Sequence, residues 1–242
     1  MKLERESPTP LYLQLKNALT ADIDAGVYKP HERLMSEREL GEKYKVSRMT
    51  VRQALTDMIR GGILYTRAGK GTYVKAPKIK QELQTLTGFS QDMTARGKST
   101  SGRVLAANIV PATLTLAAIF AIPTNTELVQ LSRLRLSDDI PLVIEEAYIL
   151  HKVCAGILEY DFSKESLYNV LATKYNIHLV RAEQTMEASL ATAQETELLQ
   201  LTPPSPVLRI ERLSYNEQNI LVEYVMSACC GERYKFHTTL HS

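Results

Sequence analysis

Two groups of side chains in this 242-residue chain have the types and spacing to hold an anion. The first is Arg48, Thr50, Arg52 and Gln53. Arginine pairs bidentately with the edge of guanine and glutamine with that of adenine, so this group has the chemistry of a base reader. The second is Arg133 and Arg135, inside the apolar run Glu127 to Leu136. If that run is a strand, period two puts both on one face, roughly 7 Å apart, beside Val129 and Leu131. Two guanidiniums on an apolar face are costly unless they find an anion. The pattern also suits a sheet edge where both are solvated or paired with nearby glutamates.

The first group needs a helix to present it. Ser36 with Glu39 three residues on is a capping box, so a short helix starts there and ends near Tyr44. Lys45-Val46 makes a tight turn, and Ser47 caps a second helix with Val51, Ala54, Leu55, Met58 and Ile59 on its inner face. Gly61-Gly62 ends it. Two helices joined so closely form a helix-turn-helix, and the start of the second is the part that reaches the major groove. Ile63 to Arg67 and Thr72 to Lys75, around a glycine-containing loop, read as a hairpin behind it, a wing with Lys70 supplying charge for phosphate. Upstream, Thr9 is expected to cap a helix with Pro10 at its first position and Leu11, Leu15, Ala18, Leu19 and Ile23 as its buried stripe.

Charge agrees. Residues 43–75 hold eight Lys/Arg against one acid, Asp57, where a solvated face would mix signs. The whole chain is only +2, but residues 1–80 carry 16 Lys/Arg and 9 Asp/Glu, and the remainder 13 and 18. A basic first third on an acidic remainder points to two domains, with polyanion binding confined to the first. The start, Met1 to Glu6, lacks the apolar stretch of a signal peptide, and no run is long enough to cross a bilayer. Cys154, Cys229 and Cys230 are an odd number with no framework spacing, so a reducing cytoplasm is expected.

Pro10-Leu11-Tyr12, Ser36 to Leu40, Val46-Ser47-Arg48, Thr50-Val51-Arg52, Ala54-Leu55 and Gly69 to Thr72 together resemble the GntR family of bacterial transcription regulators. The resemblance implies a winged helix-turn-helix over residues 1–75 that binds double-stranded, palindromic operator DNA as a homodimer. It assigns DNA contact to Arg38, Ser47, Arg48, Thr50 and Arg52, with Gly69 at the wing tip. Met35, His31 and Ala68 depart from the family's usual residues; the last removes a polar wing contact.

Residues 76–83, polar and broken by Pro77, read as a linker. From there strand and helix signals alternate. Strands are expected over Arg103–Val110, Glu127–Leu136, Pro141–Leu150, His178–Leu190, Val207–Tyr215, Ile220–Cys230 and Arg233–Leu240, with Asp138-Asp139 as a turn. Helices are expected over Ala112–Phe120, Ser166–Tyr175 and from the Thr192/Glu195 capping box to Leu199. Hairpins predominate, so the fold class is α+β: a mainly antiparallel sheet with helices on one side. Arg133-Leu134-Arg135, Pro141 with Glu145 and Tyr148, Ser166-Leu167-Tyr168, Glu223-Tyr224 and Gly231 to Phe236 resemble the UTRA effector domain of the HutC subfamily, whose fold is chorismate-lyase-like. This covers residues 84–242 and implies effector binding and dimerisation. Arg133, Arg135, Ser166 and Tyr168, helped by Phe89 and Ser90, would hold the anionic group of a small metabolite, a phosphosugar or a carboxylate. Glu145 and Glu223 would meet its hydroxyl or amine groups. Cys229-Cys230 stand where the family often has Tyr-Arg.

The lyase-like fold raises a rival, an enzyme tethered to a DNA-binding domain, with Glu145 or Glu223 as acid or base. No nucleophile–base constellation accompanies it, and the five histidines sit in no motif. Two cysteines without a nearby His are too few for a metal site. A ligand-responsive repressor with no cofactor is therefore the expected function.

Overall fold

The structure, a computed structural model, describes residues 3–67 and 69–240. Ala68 and His241 lie outside the described residues. The chain forms two compact units, Met1–Pro77 and Lys78–Ser242.

In the first unit, α1 (Leu11–Asp24), α2 (Glu37–Tyr44) and α3 (Arg48–Arg60) pack around one core, followed by the hairpin β1 (Leu64–Arg67) and β2 (Gly71–Val74). Leu15, Leu19, Leu40, Val51, Ala54 and Met58 are fully buried there, and Leu64 and Val74 carry the hairpin's inner face into the same cluster. Pro10 is the N-cap of α1 rather than its first residue, because its ψ of 142° keeps it extended. Thr9 makes no capping bond; its carbonyl accepts from the Gln14 side chain at 2.7 Å.

The second unit is built on a six-stranded antiparallel sheet in the order β4-β5-β6-β9-β8-β7. The strands are β4 (Thr100–Pro111), β5 (Glu127–Ser137), β6 (Ile140–Leu150), β7 (Leu179–Leu190), β8 (Pro206–Asn216) and β9 (Leu221–Cys230). Asp138 and Asp139, both at positive φ, make the tight turn between β5 and β6. Helices lie on both faces, not one. α4 (Phe89–Ala95) and α6 (Leu167–Tyr175) share clusters with Val129, Leu131, Val143, Ile149 and Cys229. α5 (Leu114–Phe120) packs on Leu128, Leu150 and Tyr224, and α7 (Ala193–Leu198) neighbours Leu134 and Val207 through Leu198 and Leu199. Residues 128 and 129 point to opposite faces, yet both are buried, so each face of β5 needs its own cover.

Part of the stretch read as linker is strand. β3 (Ile79–Glu82) pairs in parallel with β10 (Tyr234–His237), and Lys78 donates to the Gly231 carbonyl at 2.6 Å. Its alternating charges, Lys80 and Glu82, conceal it in the sequence. Helix α4 was also unsuspected; it is seven residues long and begins at Gly88 without a side-chain cap.

Gly231 closes β9 where a Cβ would lie 2.8 Å from the Pro206 carbonyl oxygen. That oxygen is backbone and cannot swing aside, so Gly231→Ala is expected to destabilise this unit by about 1–3 kcal/mol, the usual range for overpacking. Urea unfolding followed at the two transitions would read it, with the first unit's transition unchanged.

Candidate functional site

In the first unit the start of α3 is presented by a chain of caps. The Ser36 hydroxyl accepts from the Glu39 amide at 3.3 Å while Glu39 accepts from the Ser36 amide at 2.7 Å, the reciprocal pair that fixes α2. Lys45 takes the left-handed conformation that reverses the chain. Ser47 then caps α3, accepting from the Thr50 amide at 3.1 Å and meeting the Thr50 hydroxyl at 2.9 Å. Both residues, which the resemblance assigns to DNA contact, also hold the helix start.

Arg48, Arg52 and Gln53 are exposed on α3, and Met49 beside them is 72% exposed. Arg52 lies 3.4 Å from Glu37 and Arg38 3.9 Å from Glu42, all in solvent. Such pairs are worth about 0–1 kcal/mol, so they do not hold the arginines back from a phosphate or a base. Gly69 has a φ of 70°, the conformation the tip of the wing requires, with Lys70 next to it.

In the second unit every residue assigned to the effector lines one cleft. It takes Phe89 and Ser90 from α4, Arg133 and Arg135 from β5, Glu145 from β6, Ser166 and Tyr168 from the start of α6, and Glu223 from β9. Antiparallel register explains the grouping. Arg135, Val143, Cys229 and Leu208 form one cross-strand row, and Arg133, Glu145, Ser227 and Ile210 the next. Further along the same face run Leu131, Ala147, Val225 and Arg212, then Val129, Ile149, Glu223 and Ser214. A polar belt thus crosses an otherwise apolar face.

Arg133 and Arg135 are 3% and 4% exposed. Both reach the same oxygen, Oε1 of Glu145; the Arg135 contact is 3.2 Å and Arg133 approaches closer. Arg135 also donates to the Ser90 hydroxyl at 2.7 Å and lies over the Phe89 ring at 4.8 Å. Arg133 lies over Phe162 at 5.6 Å. Burial lowers the Arg135 pKa against the pull of Glu145. Burial also works to raise that of Glu145, but the two arginines outweigh it and hold the carboxyl below its ordinary value. The pairing is incomplete. Nε and Nη1 of Arg133 and Nε of Arg135 are buried with no hydrogen-bond partner. Two full charges facing one carboxylate, with three donors unused, make an anion-binding arrangement.

At the other end of the belt, Tyr168 and Ser214 donate to Oε2 of Glu223 at 2.8 and 2.9 Å. Burial pushes Glu223 above the ordinary carboxylate range, against those two hydrogen bonds and Arg212. Ser166 caps α6, accepting from the Asn169 amide at 3.4 Å, so the cleft also meets a helix start, where backbone N–H groups favour anions.

Sequence reasoning missed Arg212, Ser214, Ser227 and Tyr234. Arg212 donates to Gln184 at 2.8 Å and to the Thr87 carbonyl at 3.4 Å. It alternates with Ile210 and Ser214 as Arg133 alternates with Leu131 and Arg135, and that pattern was there to be read. Cys229 lines the cleft, and burial, with Glu145 adding to it, pushes its thiol up to about 12. All three cysteines are buried and free, and such thiols are inert. Among the described residues no group of three or more His, Cys, Asp or Glu is placed to hold a metal, and no helix is long and apolar enough to cross a membrane.

Comparison with known proteins identifies a family along each part of the chain. The family described as "Bacterial regulatory proteins, gntR family" matches residues 11–74, and the UTRA domain matches residues 95–235. The HTH-type transcriptional repressor NagR of Bacillus subtilis is 36% identical over 98% of this chain and 97% of its own. The histidine utilization repressor of Klebsiella aerogenes is 28% identical over 96% and 95%. The crystal structure of PhnF from Mycobacterium smegmatis superposes with a TM-score of 0.69 at 26% identity, covering 94% of this chain and 99% of that one.

Glu223 yields a stability test. Its folded-state pKa is raised, so its contribution is fully present below the unfolded-state value and is lost as pH rises through the folded-state value. Glu223→Gln keeps an acceptor for Tyr168 and Ser214 without the buried charge. It should raise the melting temperature at neutral pH, and the gain should vanish below the ordinary carboxyl value of 4.5. Thermal unfolding of both proteins across pH measures this; a gain that persisted in acid would contradict it.

Proposed function

The chain belongs to the gntR family of bacterial regulatory proteins and is a ligand-responsive, DNA-binding transcription regulator, not an enzyme; we propose that it works as a cytoplasmic, homodimeric repressor. It binds a palindromic operator and leaves it when a small anionic metabolite, such as a phosphosugar, fills the cleft. We assign residues 1–75 to the reader, 76–83 to the connection and 84–242 to effector binding and dimerisation. Several relatives are named repressors: one of histidine utilization, and another a probable repressor of the fructoselysine utilization operon in Escherichia coli, at 28% identity each.

The observation that carries the effector reading is the set of unpartnered donors on Arg133 and Arg135. An oxyanion engaging them completes the hydrogen bonding of two charges that are already out of water. Ser90 and Ser166 add hydroxyls around the same end, and Phe89 braces Arg135. The Glu223 end, with Tyr168, Ser214 and Arg212, meets the hydroxyl-bearing remainder of the ligand. On the reader, Arg48, Arg52 and Gln53 face base edges, while Arg38, Ser47, Thr50, Lys70 and the wing tip at Gly69 make the remaining DNA contacts; Ser47 and Thr50 also cap α3.

Two measurements test this. Arg135→Ala should cost effector binding on the order of 2–5 kcal/mol, as when one partner of a buried charge pair is removed. Effector-free operator affinity should be unchanged, so titrating the preformed operator complex would show a repressor that is not released. Screening phosphosugars and small carboxylates by thermal shift supplies the compound. Arg52→Ala should lose roughly 1–3 kcal/mol on the preferred site and relax one base position. An unchanged consensus in binding-site selection would remove Arg52 from base reading.

A further inference from the structure

The outer face of the wing holds a cluster that the base-reading helix does not explain. Register pairs Tyr65 with Tyr73 and Arg67 with Gly71, so all four share the face turned away from the Leu64/Val74 core. The two tyrosine rings stack with centroids 5.6 Å apart and 27° between their planes. The Arg67 guanidinium lies over both, 5.0 Å from the Tyr73 centroid and 5.6 Å from that of Tyr65, and donates to the Tyr65 hydroxyl at 3.3 Å. His31 reaches the same hydroxyl from the other side, at 3.2 Å. Tyr73 in turn donates to the Lys70 carbonyl at 3.3 Å, tying the stack to the tip.

A second guanidinium enters the same face. Arg33 forms an isolated bridge with Tyr73, adding a short third segment to the hairpin. Its side chain crosses Gly71, where a Cβ would lie 3.0 Å from the Arg33 Nε. Gly71 thus leaves the space that Arg33 fills, and Arg67 is its cross-strand partner. Neither arginine has a carboxylate within ion-pair distance among the described residues. The charge of Arg33 is felt by Glu39, whose carboxylate already accepts from the Ser36 amide. Two like charges brought to one small patch, with no counter-ion, repel unless an anion joins them. Stacking on aromatic faces leaves most of the Arg67 N–H edge directed outward, and it restrains a long side chain that would otherwise lose rotamer freedom on binding.

We propose that Arg33 and Arg67 form a phosphate-binding site on the outer face of the wing, taking one DNA backbone phosphate, with Tyr65 and Tyr73 as positioning residues. The site is sequence-independent and separate from the α3 reader. It anchors the wing while α3 reads bases, so it contributes to affinity for all duplexes and to none in particular.

The test uses the full-length protein, a duplex recovered by selection with the wild type, and a scrambled duplex of equal length. Arg67→Gln and Arg33→Gln should each weaken both duplexes by the same factor and flatten the dependence of log affinity on log salt by about one unit. Tyr73→Leu should weaken both duplexes although both arginines remain. Tyr73→Phe, which keeps the ring and loses only the bond to Lys70, should restore most of the affinity. Arg67→Lys keeps the charge and should keep the slope. Melting temperatures of each variant separate a lost contact from a lost fold. An unchanged salt slope in both glutamine variants overturns the site. So does a loss confined to the selected duplex, which would make Arg67 a base reader. Equal affinities for Tyr73→Leu and Tyr73→Phe would overturn the positioning role.

Discussion

Two buried guanidiniums sharing one carboxylate oxygen are the constraint around which the effector unit is arranged. Arg133 and Arg135 sit on consecutive inward positions of β5, and Glu145 is brought opposite by the β5–β6 register. A one-residue slip of β5 would send both arginines to the other face, away from Glu145, and leave apolar residues in the cleft. The tight turn at Asp138 and Asp139 sets that register, and Ser137 and Asp138 are tied to the start of β4 through Ser99 and Thr100. The helices then act as walls. α4 supplies a ring and a hydroxyl to Arg135, and α6 supplies its capped start.

The two units handle charge in opposite ways. On the reader the arginines stand in solvent, and their ion pairs with Glu37 and Glu42 are weak enough to exchange for phosphate. In the sensor the arginines are desolvated, and their affinity for an anion does not depend on salt in the same degree. Operator affinity should therefore respond steeply to ionic strength while effector affinity does not. That difference belongs to the depth of the two sites, since both use the same side chain.

Much of this was legible before any coordinates. Caps, turns and period-two strands are local, and Ser36, Ser47, Thr192 and the Asp138-Asp139 turn declare themselves in a few residues each. The arginine pair was legible because charge on an apolar strand face contradicts the pattern around it. What the sequence concealed was non-local or compensated. β3 is held by a parallel partner some 150 residues away and carries the charges of a linker. The helices on the second face follow from burial of both sides of β5, which a run such as Leu128-Val129 permits but does not require. Arg33 and Arg67 lie 34 residues apart, and only the bridge to Tyr73 brings them to one face.

The partial pairing at Glu145 also bears on how an effector gains its affinity. Had the two arginines been fully solvated, a ligand would have to dehydrate them as it bound, and much of the attraction would be spent there. Here the fold has removed them from water beforehand, with Glu145 supplying half of the neutralisation and the cation–π faces of Phe89 and Phe162 some of the rest. On the proposed reading, an incoming oxyanion would then lose only its own hydration. Glu145 sets the limit in the other direction. It offsets one of the two charges and occupies one side of both guanidiniums, while Nε and Nη1 of Arg133 and Nε of Arg135 keep no hydrogen-bond partner. Under the proposed effector reading, those spare donors suit an anion with several oxygens to share, which a phosphate has and a lone carboxylate has in smaller number.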